Sequence, residues 1–250
     1  GRIGSYPEKA AQQGMAAIMC TGVVGGHGPG FNVAPFGGTA RRFGTNPIAM
    51  AFPSNSGSPV LLDFATSIAA EGKLRVYRSK GELLPDFWVL DRDGKPSRAP
   101  NDYYNGGALL PIGGIVGGHK GYALSFMVTM LGAIMGSSAM KDRNVETQIS
   151  GSTLLVIDLG GMGNIGEITE KVGQVINHVK DTPLAEGSTE VLYPGEFEAK
   201  TRRERKKQGI PIPETTWNQI CALLREFSLT ERFPSVKKHI AFLGKFAHVL

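Results

Sequence analysis

With 250 residues, 41% hydrophobic and 20% charged, the chain has material for one or two ordinary globular domains. The formal charge of +5 is modest. Much of it sits in residues 200–207 (Lys-Thr-Arg-Arg-Glu-Arg-Lys-Lys), a run without interleaved aromatics that reads as a solvated helix face rather than a nucleic-acid patch. The longest apolar run, 122–135, falls short of the about 20 residues a membrane span requires. Cys20 and Cys221 lie far apart in apolar surroundings, which predicts buried thiols in a reducing, cytoplasmic compartment.

The chain opens at Gly1, with no initiator methionine, directly into a helical pattern, which predicts a longer parent protein. Residues 6–13 read as a helix stopped by Gly14, and 15–24 as a buried strand, a succession typical of α/β proteins. A glycine-rich loop containing His27 follows. Pro47 predicts an extended Asn46 before a short strand at 48–52. Residues 59–64 form a second apolar strand ending in Asp63, and Thr66 or Ser67 then offers a hydroxyl N-cap for a helix over 68–75. An acid and a helix cap at a strand end are a common address for a ribose or a phosphate, and equally a common βα loop.

Residues 81–91 read as extended, with a turn at Asp93-Gly94. Strands are predicted at 152–159 and 190–193, and helices at 167–179, 197–208 and 214–227. The tail 229–250 has Val236, Ile240, Leu243, Phe246 and Leu250 at helical spacing.

Two glycine-rich stretches compete as an anion site. In residues 113–124, four glycines precede His119 and Lys120 and an apolar helical run follows, so the stretch reads as a glycine loop feeding a helix N-terminus. A lysine there stands at the wrong end of the helix dipole, a conflict that a bound phosphate removes. The second stretch, Gly161-Met-Gly-Asn-Ile-Gly166, follows a strand and precedes a helix, as a dinucleotide fingerprint does. It lacks the acidic strand end about 20 residues on, where the chain has Thr182-Pro-Leu-Ala-Glu-Gly, and it comes late in the chain.

Four ordered words carry a resemblance. They are Gly38-Thr-Ala-Arg-Arg-Phe-Gly-Thr-Asn-Pro-Ile-Ala, Leu62-Asp-Phe-Ala-Thr-Ser-Ile-Ala-Ala-Glu-Gly-Lys, the stretch from Leu110 through Gly-Gly-His-Lys-Gly-Tyr-Ala-Leu, and Tyr193-Pro-Gly-Glu with Gly-Ile-Pro-Ile-Pro behind it. Over residues 1 to about 228 the chain resembles the type 2 malate/L-lactate dehydrogenases, a family that also holds sulfolactate, ureidoglycolate and diketogulonate dehydrogenases.

The resemblance implies an α/β fold with a mixed sheet, a cofactor-binding domain that is not a Rossmann fold, and terminal helices. The implied segments are 1–40, an N-terminal remainder; 41–190, the cofactor domain; 191–228, helices packing back; and 229–250, an unmatched tail. The implied activity is hydride transfer between NAD or NADP and C2 of a small 2-hydroxy or 2-oxo acid, by a homodimer with no nucleic-acid or membrane partner and no metal. Cofactor contacts carry over to Leu62, Asp63, Phe64, Ala65, Thr66, Ser67 and Ile68, to His119 and Lys120, and to Gly195, Glu196 and Phe197. Substrate contacts carry over to Thr45 and Asn46.

The family's proton donor is a histidine in a Ser-His-Gly segment upstream of where this sequence begins. His27 does not replace it, and Asp91 is the candidate for the carboxylate that orients such a histidine. The alternative expectation is a truncated, inactive member that binds nucleotide or dimerises. On the family reading, residues 161–166 match the fingerprint by coincidence.

Overall fold

The computed structural model describes residues 1–25, 31–137, 146–229 and 232–233. The chain forms two compact units, residues 1–199 and 200–250. His27 and nearly all of the tail lie outside the described residues.

The first unit holds two antiparallel sheets. Helix α1 (Ser5–Ala11) leads through Gly14, at φ +82°, into β1 (Met15–Val24). Strand β1 lies between β2 (Pro47–Phe52) and β7 (Ile149–Asp158), and β3 (Val60–Ala65) pairs with β2, giving the order β3-β2-β1-β7. The boundary expected at residue 40 therefore cuts across one sheet. The second sheet is small: β4 (Val89–Leu90) between β5 (Pro96–Ser97) and β6 (Ala108–Leu109). Around it Val33, Phe43, Leu74, Leu84, Val89, Tyr103 and Leu109 form the largest core, with Leu74 on α2 (Glu71–Lys80) and Tyr103 on α3 (Pro100–Tyr104).

Helix α4 (Gly114–Thr129) continues as a π-helix over Met130–Met135. This continuous helix lies on β1 and β7 at backbone distance. A Cβ on Gly132 would stand 2.5 Å from the Gly22 nitrogen, and one on Gly136 2.6 Å from the Ser152 nitrogen. The Thr153 hydroxyl donates to the Leu131 carbonyl at 2.7 Å, a side chain of β7 reaching into the π segment. Burial pushes the Cys20 thiol up, so it stays a neutral core side chain.

Helix α5 (Ile165–Lys180) starts at Asn164, whose side chain accepts from the Gly166 N–H. Helix α6 (Glu196–Gln208) runs from the first unit into the second, which also contains α7 (Glu214–Glu226). Residues 190–193, expected as a strand, have no ladder. The next residue, Pro194, bonds to the sheet edge, accepting from the Leu61 N–H at 2.9 Å.

Asn46 is not extended. It adopts φ +35°, in the left-handed region that asparagine tolerates, against the extended preference that Pro47 imposes. Its carboxamide explains the departure. The Oδ1 accepts from the Val23 N–H at 2.9 Å, and the Nδ2 donates to the Val23 carbonyl and to Thr129 Oγ1 at 3.2 and 2.7 Å. The residue is 2% exposed and joins β1, β2 and α4. Asn46→Ala leaves the Val23 N–H without this partner, while the Val23 carbonyl keeps the Gly44 N–H at 3.0 Å, so the expected loss is about 1–3 kcal/mol for the one group left unsatisfied. Urea denaturation with an unchanged midpoint would remove Asn46 from this structural role.

Candidate functional site

The strand-end acid and hydroxyls of the second word stand on and just beyond β3. The hydroxyls are turned inward. Thr66 Oγ1 donates to the Asn46 carbonyl at 2.8 Å, and Ser67 Oγ donates to the Ala69 carbonyl at 2.8 Å. Neither caps a helix. Helix α2 begins three residues later than expected, at Glu71, with Ala70 at its N-cap. The backbone beyond β3 instead joins the segment before α4: Ile68 N–H donates to the Leu110 carbonyl and Ile112 N–H to the Thr66 carbonyl, at 2.9 and 2.8 Å.

At the other end of β3 sits the Pro-Gly-Glu turn. Gly195 has φ +89°, and a Cβ there would stand 2.9 Å from the Leu61 Cβ, so the turn docks directly on the strand. Glu196 is buried, and both its carboxylate oxygens accept from Lys180 Nζ at 2.7 Å, while Oε2 also accepts from the Tyr193 N–H. This part-buried pair holds the turn to α5. Phe197 is exposed. Between strand and turn opens a cavity of about 590 Å³ lined by Arg2, residues 61–64, residues 192–195, Phe197 and Glu198. Its size is that of a small-molecule or cofactor cleft. Leu62, Asp63 and Phe64 thus share one cavity with Gly195 and Phe197, from words about 130 residues apart in sequence.

The stretch 113–121 is organised differently from its sequence reading. Gly113, at φ +91°, is the N-cap, and the remaining glycines lie inside α4. Gly114, Gly118, Gly121, Ser125 and Val128 repeat at intervals of four and three and form the buried stripe of the helix. A Cβ on Gly118 would stand 3.1 Å from the Phe36 ring, and one on Gly121 1.9 Å from the Ile112 carbonyl oxygen. These two glycines serve helix packing. The Gly114 and Gly117 N–H groups already donate to the Pro111 and Gly113 carbonyls, so the helix start is not an open ring of donors. His119 and Lys120 stand in its second turn and are exposed. His119 meets the Phe36 ring edge-on at 5.7 Å, and no ion pair or hydrogen bond engages Lys120 among the described residues.

Thr45 is half-buried, and its carbonyl accepts from the Thr66 N–H at 2.9 Å, so the segment expected at the substrate is pinned to the segment expected at the cofactor. The Asn46 carboxamide is engaged within the fold, as described above. Asp91 follows β4, and its Oδ1 accepts from the Asp93 and Lys95 N–H groups at 2.9 Å each, closing the Asp93-Gly94 turn. With Arg92, Asp93, Asp102 and Asn105 it lines a polar cavity of about 480 Å³. The Trp88 carbonyl, three residues earlier, accepts from the Leu110 N–H at 3.0 Å, which ties this turn to the segment joining β3 and α4.

Residues 159–166 connect β7 to α5. Strand β7 is antiparallel to β1, whereas a dinucleotide fingerprint sits in a parallel βαβ unit. A Cβ on Gly163 meets nothing within 4 Å, and one on Gly161 only ordinary contacts with Asp158. Gly161→Ala and Gly163→Ala are therefore expected to leave the affinity for reduced nicotinamide cofactor unchanged in a fluorescence titration. A loss of tenfold or more would move the cofactor to this loop.

Sequence reasoning missed α3 and the Glu196–Lys180 pair. A glutamate sixteen residues after a lysine, across a loop, carries no local signal of pairing.

A malate dehydrogenase of Pyrococcus horikoshii is 39% identical over 219 residues, which cover 85% of this chain and 59% of that protein. Hydroxycarboxylate dehydrogenase B of Escherichia coli K12 is 35% identical over 243 residues, 92% of this chain and 63% of that protein. The crystal structure of malate dehydrogenase from Entamoeba histolytica superposes with a TM-score of 0.79 at 26% identity, covering 91% of this chain and 65% of that one. The chain thus spans about three-fifths of the length of the relatives it matches. Residues 1–221 match the sequence profile of the malate/L-lactate dehydrogenase family, and to that family the chain belongs.

Proposed function

We propose that the chain binds a nicotinamide cofactor along β3, from the Pro-Gly-Glu turn to the second turn of α4, and that the protein acts as a dehydrogenase of small 2-hydroxy acids. The relatives are named as malate, hydroxycarboxylate and sulfolactate dehydrogenases, which share a substrate with a carboxylate beside an oxidisable carbon. The observation that carries the reading is the convergence of three distant words on one strand: residues 62–68 form it and its continuation, Leu110 and Ile112 bond to its far end, and Gly195 docks on its near end. On this reading the cofactor is held outside any Rossmann unit, and residues 161–166 are an ordinary connection.

When bound, the cofactor supplies or accepts the hydride. The chain's own residues hold and orient the reactants. Lys120, exposed and without an ion pair or hydrogen bond among the described residues, compensates phosphate charge. Thr45 forms the wall beside the substrate, with the buried Asn46 supporting it from behind. Asp91, with Oδ1 fixed by two backbone N–H groups, keeps its other oxygen to orient the imidazole of the family's Ser-His-Gly segment, the acid–base that would protonate the carbonyl as hydride arrives.

The exposed apolar side chains of α4 and its π continuation, Val116 at 91% and Met127 at 56% among them, with Leu154, Leu155 and Val156 of β7, support burial against a second copy in a homodimer. No helix among the described residues is long and apolar enough to cross a membrane.

The test is oxidation of NADH and NADPH in the presence of oxaloacetate, pyruvate and related 2-oxo acids. It is run on residues 1–250 and on the chain extended upstream with a Ser-His-Gly segment. The reading expects oxidation that requires a 2-oxo acid in the extended protein. Equal rates with ketones that lack a carboxylate would contradict it.

A further inference from the structure

The site runs lengthwise along β3, and its two ends differ in chemistry. At one end residues 66–68 bond to Leu110 and Ile112, and the Leu110 N–H bonds to Trp88, three residues before Asp91. The other end, at Asp63 and Tyr193, lies about 13 Å back along the strand, four residues at 3.3 Å each. If Asp91 serves the reacting centre, as proposed above, the nicotinamide ring occupies the first end and the adenosine of the same cofactor reaches the second.

The second end is built around a clamped carboxylate. Asp63 is exposed to the cavity, and its Oδ2 accepts from the Gly4 N–H at 2.9 Å. The approach is so close that a Cβ on Gly4 would stand 2.7 Å from that oxygen. The N-cap residue of α1 thus fixes one carboxylate oxygen, and among the described residues Oδ1 carries no hydrogen bond. The cavity holds a second acid, Glu198, and one cation, Arg2, whose Nη1 is held by Glu8 Oε2 at 2.7 Å and by Ser5 Oγ at 3.2 Å. A fixed acceptor oxygen beside Tyr193 and Phe197, in a cavity with more acids than free cations, suits a neutral vicinal diol and repels a phosphate ester.

We infer that Asp63, positioned by Gly4, reads the adenosine ribose diol of the cofactor and makes the protein selective for NADH over NADPH. The inference rests on the cofactor reading above. Asp63 is the specificity residue, and Gly4 acts through it as a positioning residue.

The experiment is a fluorescence titration of the protein with NADH and with NADPH, together with Asp63→Asn and Gly4→Ala. Asparagine keeps an oxygen for the Gly4 N–H and removes the charge. Wild type is expected to bind NADH at least tenfold more tightly than NADPH. Asp63→Asn is expected to weaken NADH about tenfold and to leave NADPH unchanged or tighter, so that the ratio collapses. Gly4→Ala, with an unchanged far-UV dichroism spectrum, is expected to lower the same ratio by displacing the carboxylate. Equal wild-type affinities, or an Asp63→Asn loss shared equally by both cofactors, would overturn the inference while leaving the cofactor site in place. No binding of either cofactor by wild type would overturn the cofactor reading itself, and the inference with it.

Discussion

Lys120→Ala is expected to weaken binding of reduced nicotinamide cofactor by roughly ten- to hundredfold. A charge-assisted hydrogen bond contributes about 1.5–3 kcal/mol, and each 1.4 kcal/mol corresponds to about a factor of ten in affinity. The side chain is exposed and has no partner among the described residues to be left unsatisfied by its removal, so the fold is expected to be unaffected. The effect therefore separates cleanly from stability. It also carries a salt signature, because an exposed cation acts through a screened field. The wild-type affinity is expected to fall as salt is raised, and that of the variant to fall less. Unchanged affinity in Lys120→Ala would place the cofactor phosphates away from α4.

Gly121→Ala is expected to destabilise the protein by about 1–3 kcal/mol, the usual cost of overpacking a tight contact. The added Cβ would stand 1.9 Å from the Ile112 carbonyl oxygen, which is backbone and cannot rotate away. The Ile112 N–H is the group that bonds to Thr66, so α4 can make room only by pulling on the end of β3. Cofactor affinity is expected to fall with stability.

Gly117→Ala is the internal control. It lies in the same helix, four residues earlier, with nothing within 4 Å of the added carbon. It is expected to be neutral or to stabilise by about 0.5–1 kcal/mol, since glycine is a poor residue for a helix interior. For a domain of this size the difference reads as a fall in Tm of about 2–4 °C per kcal/mol. Equal melting of the two variants would remove the packing role assigned to Gly121.

The contrast between these two glycines also shows where the sequence was legible. The strands with strong apolar runs, β1, β2, β3 and β7, and the amphipathic α5 stand within three residues of their expected bounds, because their patterns are local. Leu62, Asp63 and Phe64 meet Gly195 and Phe197 in one cavity, although their words lie far apart in the sequence.

What could not be read is what long-range packing decides. Glycines 114–121 look like a flexible loop, yet they form a stripe that lets a helix approach Phe36 and Ile112. Asn46 looks extended before Pro47, but Val23 and Thr129, 23 and 83 residues away, hold it in the left-handed region. Thr66 looks like a helix cap, but it closes on Asn46 instead. Residues 190–193 look like a strand, yet they only flank a docked turn.

The central claim is the location of the cofactor, and hydrogen–deuterium exchange with and without saturating NADH tests it most directly. The account predicts added protection of backbone amides in residues 61–68, 113–121 and 192–197, with residues 159–166 exchanging as before. Protection centred on 159–166, with 61–68 and 192–197 unchanged, would contradict it.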